Sequence, residues 1–267
     1  MGINRAIDGL PTVSASKIKV YRTCARQFQY KYKMARAERP EDHKNVAALL
    51  GTALHKAIEL YYKEQKSPTA TFQSVMTNTL DEWEEAQFKI NALDYFPRAM
   101  KVGKDILKTF NWDQFNPMEL EYEFTLPFPS VENPLVNMTG LIDLLDMSGM
   151  VVDHKSASTA PNLEDIANDP QFLLYAWAYE QIYGYKPYKV IWNHLRTGKL
   201  YEADVAHNYE FKMERLTEDI EAMINATHFP RRQMDDTCKK RCSFYTLCYG
   251  VSREKSELDI ITTAEMD

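Results

Sequence analysis

The chain has 267 residues, of which 45% are hydrophobic and 26% charged, and its 32 Lys and Arg against 38 Asp and Glu give a formal charge of −6. That length suits one large domain or two small ones, with a core that needs no covalent staples. The charge excludes a polycation that coats nucleic acid but not an enzyme whose basic residues are clustered. With 9 glycines, none of them in GxGxxG or GxxxxGK[ST], a Rossmann dinucleotide site and a P-loop are excluded as well. No run of 18 apolar residues predicts a membrane span. Residues 1–17 lack the apolar stretch of a secretory signal, so the expected setting is the reducing cytoplasm or the nucleoid, and not the exterior.

In chain order, SASKIKVYRTCARQFQYKYKMAR (residues 14–36) predicts a helix capped by Ser14 or Ser16, with Ile18, Tyr21, Phe28 and Tyr32 along one side. Lys17, Lys19, Arg22, Arg26, Lys31, Lys33 and Arg36 make it strongly basic, which suits either a solvated face or a surface that tracks phosphates. Residues 37–45 read as a polar linker. Val46 to Glu64 predicts a helix with Leu50, Leu54, Ile58 and Tyr61 at 3–4 spacing, and residues 70–90 and 97–111 predict two more. From Pro117 the period changes to two. Glu119–Leu126 reads as a half-buried strand, and Val136–Met147 and Met150–Ser156 as strands around Ser148-Gly149. Asp169-Pro170 opens a helix that Gly184 ends. Tyr188–Leu195 and Leu200–Val205 read as strands, and residues 209–227 as the last helix. The regions are therefore 1–116 (helical), 117–205 (sheet with a helical crossover), 206–250 (helix and cysteine segment) and 251–267 (polar tail).

The informative stretch is TGLIDLLDMSGMVVDHKSAS. Asp143 lies inside the apolar run LIDLL, and Asp153 ends MVVDHK; carboxylates among aliphatics are costly unless cations or donors meet them. Asp153 and Lys155, two apart on a strand, project from one face. A three-residue loop, Met147-Ser148-Gly149, with Gly149 left-handed, sets Asp143 opposite Asp153, whereas a two-residue Ser-Gly turn would oppose it to His154. Two carboxylates beside an ammonium suit Mg²⁺ or Mn²⁺ and phosphodiester hydrolysis. The same residues also fit a capped bend and a surface ion pair. His55, one turn after Gly51, fits a core histidine or a ligand; Gln171 and Tyr175, at i and i+4, fit plain packing or a contact to nucleic-acid backbone.

Cys24 stands alone and Cys238, Cys242 and Cys248 lie in CKKRCSFYTLC. Three cysteines among Lys and Arg are unlike core packing, and positive neighbours favour the thiolate that binds metal. Four thiolates suit tetrahedral zinc or an iron–sulfur cluster, and the spacing does not separate the two. Scattered thiols remain the plain alternative.

Taken together, from Ser14 to Cys248, these pieces resemble the RecB-like branch of the PD-(D/E)XK nuclease superfamily, in the iron–sulfur subset that includes AddB-type nuclease domains and CRISPR-associated adaptation exonucleases. The matching order is the aromatic–Cys segment, then GxxxH (Gly51 to His55), GxxD (Gly140 to Asp143), DxK (Asp153 to Lys155), QxxxY (Gln171 to Tyr175) and the C-terminal cysteines. The resemblance implies an α/β restriction-endonuclease-like core, a mixed sheet of roughly five strands flanked by helices, with a helical N-terminal region and an iron–sulfur segment at the C-terminal end. It implies Asp143, Asp153, the backbone carbonyl of His154 and His55 as ligands of Mg²⁺ or Mn²⁺. Lys155 would be the catalytic lysine, with Gln171 and Tyr175 positioning DNA or that lysine. Cys24, Cys238, Cys242 and Cys248 would hold a 4Fe–4S cluster of structural role.

The activity so implied is a metal-dependent deoxyribonuclease, an exonuclease preferring single-stranded DNA or DNA ends, in recombination, repair or CRISPR adaptation. The chain would stand alone or serve a helicase, recombination or adaptation partner. Arg231, Arg232, Lys239, Lys240 and Arg241 would line the strand's path together with the basic N-terminal segment. Two departures from the family pattern are Ala25 after the first cysteine, where proline is common, and the three-residue spacing between Cys238 and Cys242. The rival readings are a DNA-end or partner-binding scaffold of nuclease fold and a zinc-binding structural protein.

Overall fold

The computed structural model describes residues 2–34, 44–88, 90–235, 238 and 242–250. Arg36, most of the expected linker, Lys239, Lys240, Arg241 and the polar tail lie outside them. In chain order the elements are β1 (Ile3–Asn4), β2 (Thr12–Ser14), α1 (Ala15–Thr23), α2 (Ala25–Phe28), β3 (Lys44–Asn45), α3 (Val46–Glu64), α4 (Pro68–Glu85), β4 (Ile90–Asn91), α5 (Phe96–Thr109), β5 (Pro117–Phe128) and β6 (Val136–Asp146). There follow β7 (Met150–Lys155), α6 (Leu163–Ala167), α7 (Pro170–Tyr183), β8 (Lys189–His194), β9 (Lys199–Glu202), α8 (Tyr209–Asn225) and α9 (Tyr245–Tyr249). They form two compact units, one around residues 44–123 and 141–205, the other around 3–34, 124–140 and 206–250.

In the first unit the sheet order is β5-β6-β7-β8-β9. The β6–β7 and β8–β9 pairs are antiparallel hairpins, while β7 and β8 run parallel. Parallel neighbours require a crossover, and α6 and α7 supply it. Asp169 caps α7 by accepting from the Gln171 amide at 2.8 Å, Pro170 takes the first turn, and Gly184 ends the helix at φ 80°. Leu173, Leu174, Ala176, Trp177 and Ala178 bury α7 all round, so its two polar positions are conspicuous. Helix α3 is capped by Asn45 and turns Leu49, Leu50, Ala53, Leu54, Ala57 and Ile58 inward. Gly51 lets this helix approach the end of β7: a Cβ there would stand 3.3 Å from the Ser156 hydroxyl.

In the second unit β1 pairs in parallel with β5 at Phe124 and Thr125, and β2 with β6 at Asn137 to Thr139. The full sheet among the described residues thus has seven strands, against the five or so expected. Two- and three-residue strands are too short to carry a period in sequence. Ser14, not Ser16, caps α1. The single helix expected over 14–36 is not found. Cys24 is extended (φ −163°, ψ 111°) and divides it, and residues 29–33 form a π-helical turn. The aromatic side is largely packing: Tyr21, Tyr32 and Phe229 surround Phe28 at ring distances of 5.4, 5.3 and 6.3 Å.

Candidate active site

The β6–β7 turn is the three-residue form. The Gly149 amide donates to the Asp146 carbonyl (2.8 Å), Gly149 has φ 84°, and Leu144 faces Val152. This register sets Asp143 opposite Asp153. The bend itself is held by Asp146, whose carboxylate accepts from the Ser148 amide (2.8 Å) and hydroxyl and from the Asn116 amide (2.6 Å). Asp143 is therefore free of that structural duty. Both facing carboxylates are buried, Asp143 at 6% and Asp153 at 1% exposure.

Each has a different set of neighbours. Asp143 Oδ2 accepts from the His154 amide at 2.6 Å, and its Oδ1 stands 3.5 Å from His55 Nδ1. Asp153 Oδ1 accepts from Gln171 Nε2 at 2.8 Å. Its Oδ2 stands 2.7 Å from Lys155 Nζ, an ion-pair contact, yet no donor meets that buried oxygen at hydrogen-bonding angles among the described residues. Gln171 Nε2 also donates to the Tyr175 hydroxyl (2.8 Å), which donates in turn to the Leu141 carbonyl. The polar pair on α7 thus spans from the Asp153 carboxylate to the backbone of β6.

His55 comes from α3 and is partly exposed. Its Nε2–H donates to the His154 carbonyl at 2.9 Å, turning Nδ1 toward Asp143 and toward Glu121, whose carboxylate lies 3.8 Å away. A second-row contact of this kind is how proteins orient a histidine ligand. The His154 carbonyl, expected as a ligand, is thus engaged by His55 with one of its two lone pairs. The His154 ring points to the other face, where it is buried between Phe110 and Phe115 and accepts from Asn193 Nδ2 at 3.0 Å.

Glu121 was missed by the sequence reading. With His55 and Asp143 it forms the one group of three potential ligands, among the described residues, whose ligand atoms all lie within 4.8 Å of one another. In sequence it is the middle of three alternating glutamates, and nothing separates it from Glu119 or Glu123. The distinguishing feature is its backbone, left-handed at φ 47° inside a strand. That conformation costs about 1–3 kcal/mol for a residue with a side chain and is typical of functional positions.

The electrostatics follow from burial and crowding. Burial, together with the charge of Asp143, pushes the Asp153 carboxyl up to about 6, despite Lys155 beside it. Burial would raise Asp143 too, but the nearby His55 outweighs it and holds that carboxyl below its usual range. Burial opposes charging His55, yet Asp143 and Glu121 raise it to about 10. Burial drops His154 to about 4, so its ring is neutral. Lys155 is raised by Asp153 and Asp143 in spite of its burial. Carboxylate oxygens and an oriented imidazole, brought together at Asp143, Glu121 and His55, fit a hard divalent cation such as Mg²⁺ or Mn²⁺.

In the second unit Cys24, Cys238, Cys242 and Cys248 line one cavity, with Arg26, Arg231 and Tyr249 beside them. Arg231 donates to the Cys248 carbonyl and lies over the Tyr249 ring. Tyr30 meets Phe244 at 5.6 Å, and the Arg26 amide donates to the Pro230 carbonyl, so the N-terminal helices and the C-terminal segment pack on each other around the thiols. The positive neighbours do not lower Cys248: burial and the crowding by Cys24 raise its pKa over the opposing arginines. Several basic residues expected on a DNA path are engaged locally. Arg22 pairs with Asp219 at 2.6 Å and Arg232 with Asp235.

A mixed sheet whose antiparallel hairpin offers two carboxylates, with a lysine two residues on and a parallel crossover helix behind, defines a nuclease of the restriction-endonuclease type. The family model for the PD-(D/E)XK nuclease superfamily matches residues 12–249, and the chain belongs to that superfamily. Its fold is similar to the crystal structure of a "putative exonuclease" from Eubacterium rectale, with a TM-score of 0.54 and 14% identity over 89% of this chain and 93% of that one. No curated protein matches the sequence.

Two predictions follow from the site. Because the pKa of His55 is raised in the folded state, its stabilising effect is full below the unfolded value of 6.5 and is lost as pH rises through about 10. In chelator, the melting temperature should fall across that window in the wild type and less in His55→Gln; parallel curves would remove the ion pair. Glu121→Gly relieves the left-handed strain, so the metal-free melting temperature should hold or rise while Mn²⁺ affinity by calorimetry falls at least about tenfold. A lower melting temperature with unchanged affinity would take Glu121 out of the metal site.

Proposed function

We propose that the chain is a divalent-metal-dependent DNA exonuclease that prefers single strands and acts in recombination, repair or CRISPR adaptation in the cytoplasm, alone or beside a helicase or adaptation partner. The observation that carries the reading is the buried Asp143–Asp153 pair with Lys155 on the same face. Asp143, Asp153, Glu121 and His55 would hold Mg²⁺ or Mn²⁺, with the second lone pair of the His154 carbonyl available. The cation would polarise the phosphoryl group and make water a better nucleophile. Lys155, charged and held by Asp153, offsets the negative charge that grows on the phosphate. Gln171 fixes the Asp153 carboxylate, and Tyr175, strapped to the Leu141 carbonyl, fixes Gln171. The scaffold reading finds no support in this arrangement, since a scaffold has no use for the cost of two buried carboxylates.

The four cysteines would hold a 4Fe–4S cluster of structural role. What supports a shared metal centre is that Cys24, Cys238, Cys242 and Cys248 line one cavity. The RecB-like assignment rests on the order GxxxH, GxxD, DxK and QxxxY, and its AddB-type, iron–sulfur refinement on the cysteines as well.

Digestion of end-labelled single- and double-stranded DNA with Mn²⁺ or Mg²⁺ under anaerobic conditions tests the activity. Lys155→Ala should slow cleavage about 10²–10³-fold with DNA binding retained; unchanged cleavage would overturn the catalytic assignment. The anaerobically purified protein should be brown and carry about four irons and four sulfides per chain. Cys24→Ala should lose most of both, and colourless wild-type protein containing zinc would refute the cluster.

A further inference from the structure

The first unit holds a cavity of ≈ 480 Å³ whose lining includes Tyr61, Tyr62, Lys63, Trp112, Asp113 and Glu119. Its size falls within the range of about 300–1,000 Å³ typical of small-ligand pockets. The aromatic wall is rigidly built. Tyr61 and Trp112 have ring centroids 4.2 Å apart, and Phe110 backs Trp112 at 4.6 Å. The Tyr62 hydroxyl donates to the Trp112 carbonyl at 2.9 Å, tying this loop to the last turn of α3. Tyr61, Tyr62 and Trp112 are all half-buried, so each keeps an open edge or face. None belongs to the carboxylate cluster, and no motif of the sequence includes them.

The position is informative. Tyr62 follows His55 by seven residues on α3, about 10 Å along the helix. Glu119 precedes Glu121 by two residues on β5, about 7 Å along the strand. The rings of Phe110 and Phe115 lie 6.2 and 6.1 Å from that of His154, on the face of β7 away from Asp153, so the cavity is linked to the carboxylates through α3 and β5. At a rise of about 3.4 Å per stacked nucleotide, these offsets along α3 and β5 correspond to about two or three nucleotides.

The lining chemistry selects a base and not a phosphate. The lining carboxylates of Asp113 and Glu119 disfavour phosphate, and Asp113, which is exposed, can accept hydrogen bonds from the exocyclic amino groups of bases. Lys63, also in the lining and exposed, is paired with Glu59 at 2.9 Å. Aromatic faces take any base by stacking. We propose that this cavity is a nucleobase-binding subsite that stacks one base of a single-stranded DNA substrate against Tyr61 and Trp112 and sets the register of the strand over the carboxylates. The inference rests on the nuclease reading and adds a residue-level basis for preferring unpaired strands, because a base in a duplex stack is not available to it.

The test is fluorescence and binding with single-stranded oligodeoxynucleotides carrying one 2-aminopurine or one abasic residue at successive positions, with Ca²⁺ in place of Mn²⁺. The wild type should quench 2-aminopurine most strongly at one position, about two or three nucleotides from the cleaved bond. An abasic residue at that position should weaken binding about 5- to 150-fold, and Trp112→Ala should weaken binding of the intact strand to the same extent. The two losses should not add when combined, and Trp112→Phe should bind within about threefold of the wild type. If Trp112→Ala fails to fold, Tyr61→Ala and the wild-type abasic scan decide. Equal quenching at all positions, or additive losses, in a protein that still cleaves labelled DNA would overturn the subsite and spare the nuclease reading. A wild type that neither binds nor cleaves single strands would overturn both.

Discussion

Everything in the catalytic unit answers to one constraint, two carboxylates buried opposite each other across the β6–β7 hairpin. Asp143 and Asp153 raise each other's cost of ionisation, and the low-exposure setting removes the water that would otherwise screen them. The neighbouring groups are those that relieve this cost: an ammonium at Asp153, an imidazole at Asp143, a backbone amide on one and a carboxamide on the other. The register that creates the confrontation depends in turn on a turn residue, Gly149, and on Asp146, which holds the bend so that Asp143 need not. A one-residue slip would present the neutral His154 ring to the site and send Asp153 into the packing against Phe110 and Phe115.

The second unit solves a different problem with different chemistry. Its N-terminal strands and helices bury Val13, Ile18 and Phe28, and the C-terminal segment reaches them through Tyr30, Phe244 and the four thiols. Extended backbone at Cys24 breaks what would otherwise be one long helix, and the break places that sulfur at the cavity. The helix pattern of residues 14–36 is continuous in hydrophobic period, so no local signal marks the interruption. A thiol whose pKa is raised by burial and by another thiol is a poor nucleophile, and the same crowding would be relieved if all four shared a positive centre.

This contrast shows what was legible in the sequence. Parity on a strand makes Asp153 and Lys155 neighbours whatever the tertiary fold, and Asp169-Pro170 with Gly184 delimits α7 by cap chemistry alone. The register across the hairpin was legible because glycine in a three-residue loop has one favoured place. Glu121 was not legible, because its role depends on a left-handed backbone that no residue preference announces. Strands β1 and β2 were hidden by their length, and they form through pairing with longer strands already in place. The clustered basic residues were visible; the Arg22–Asp219 pair is tertiary and had no local signal, whereas Arg232–Asp235 is an i,i+3 pair.

The charge state of the site explains why it suits a divalent cation rather than a permanent ion pair. Without metal, His55 takes up a proton because Asp143 and Glu121 demand a positive neighbour, and that proton sits on the nitrogen the His154 carbonyl has left facing the carboxylates. A cation bound among these three groups would satisfy the same demand with twice the charge and would require His55 to be neutral, so metal binding and deprotonation would be one event. Lys155 is not exchanged in this way, since its ammonium is held by Asp153 and no imidazole-like pKa lets it leave near neutral pH. Lys155 on β7 would thus keep a fixed positive charge for a phosphate, and His55 on α3 a positive charge that a metal ion could replace.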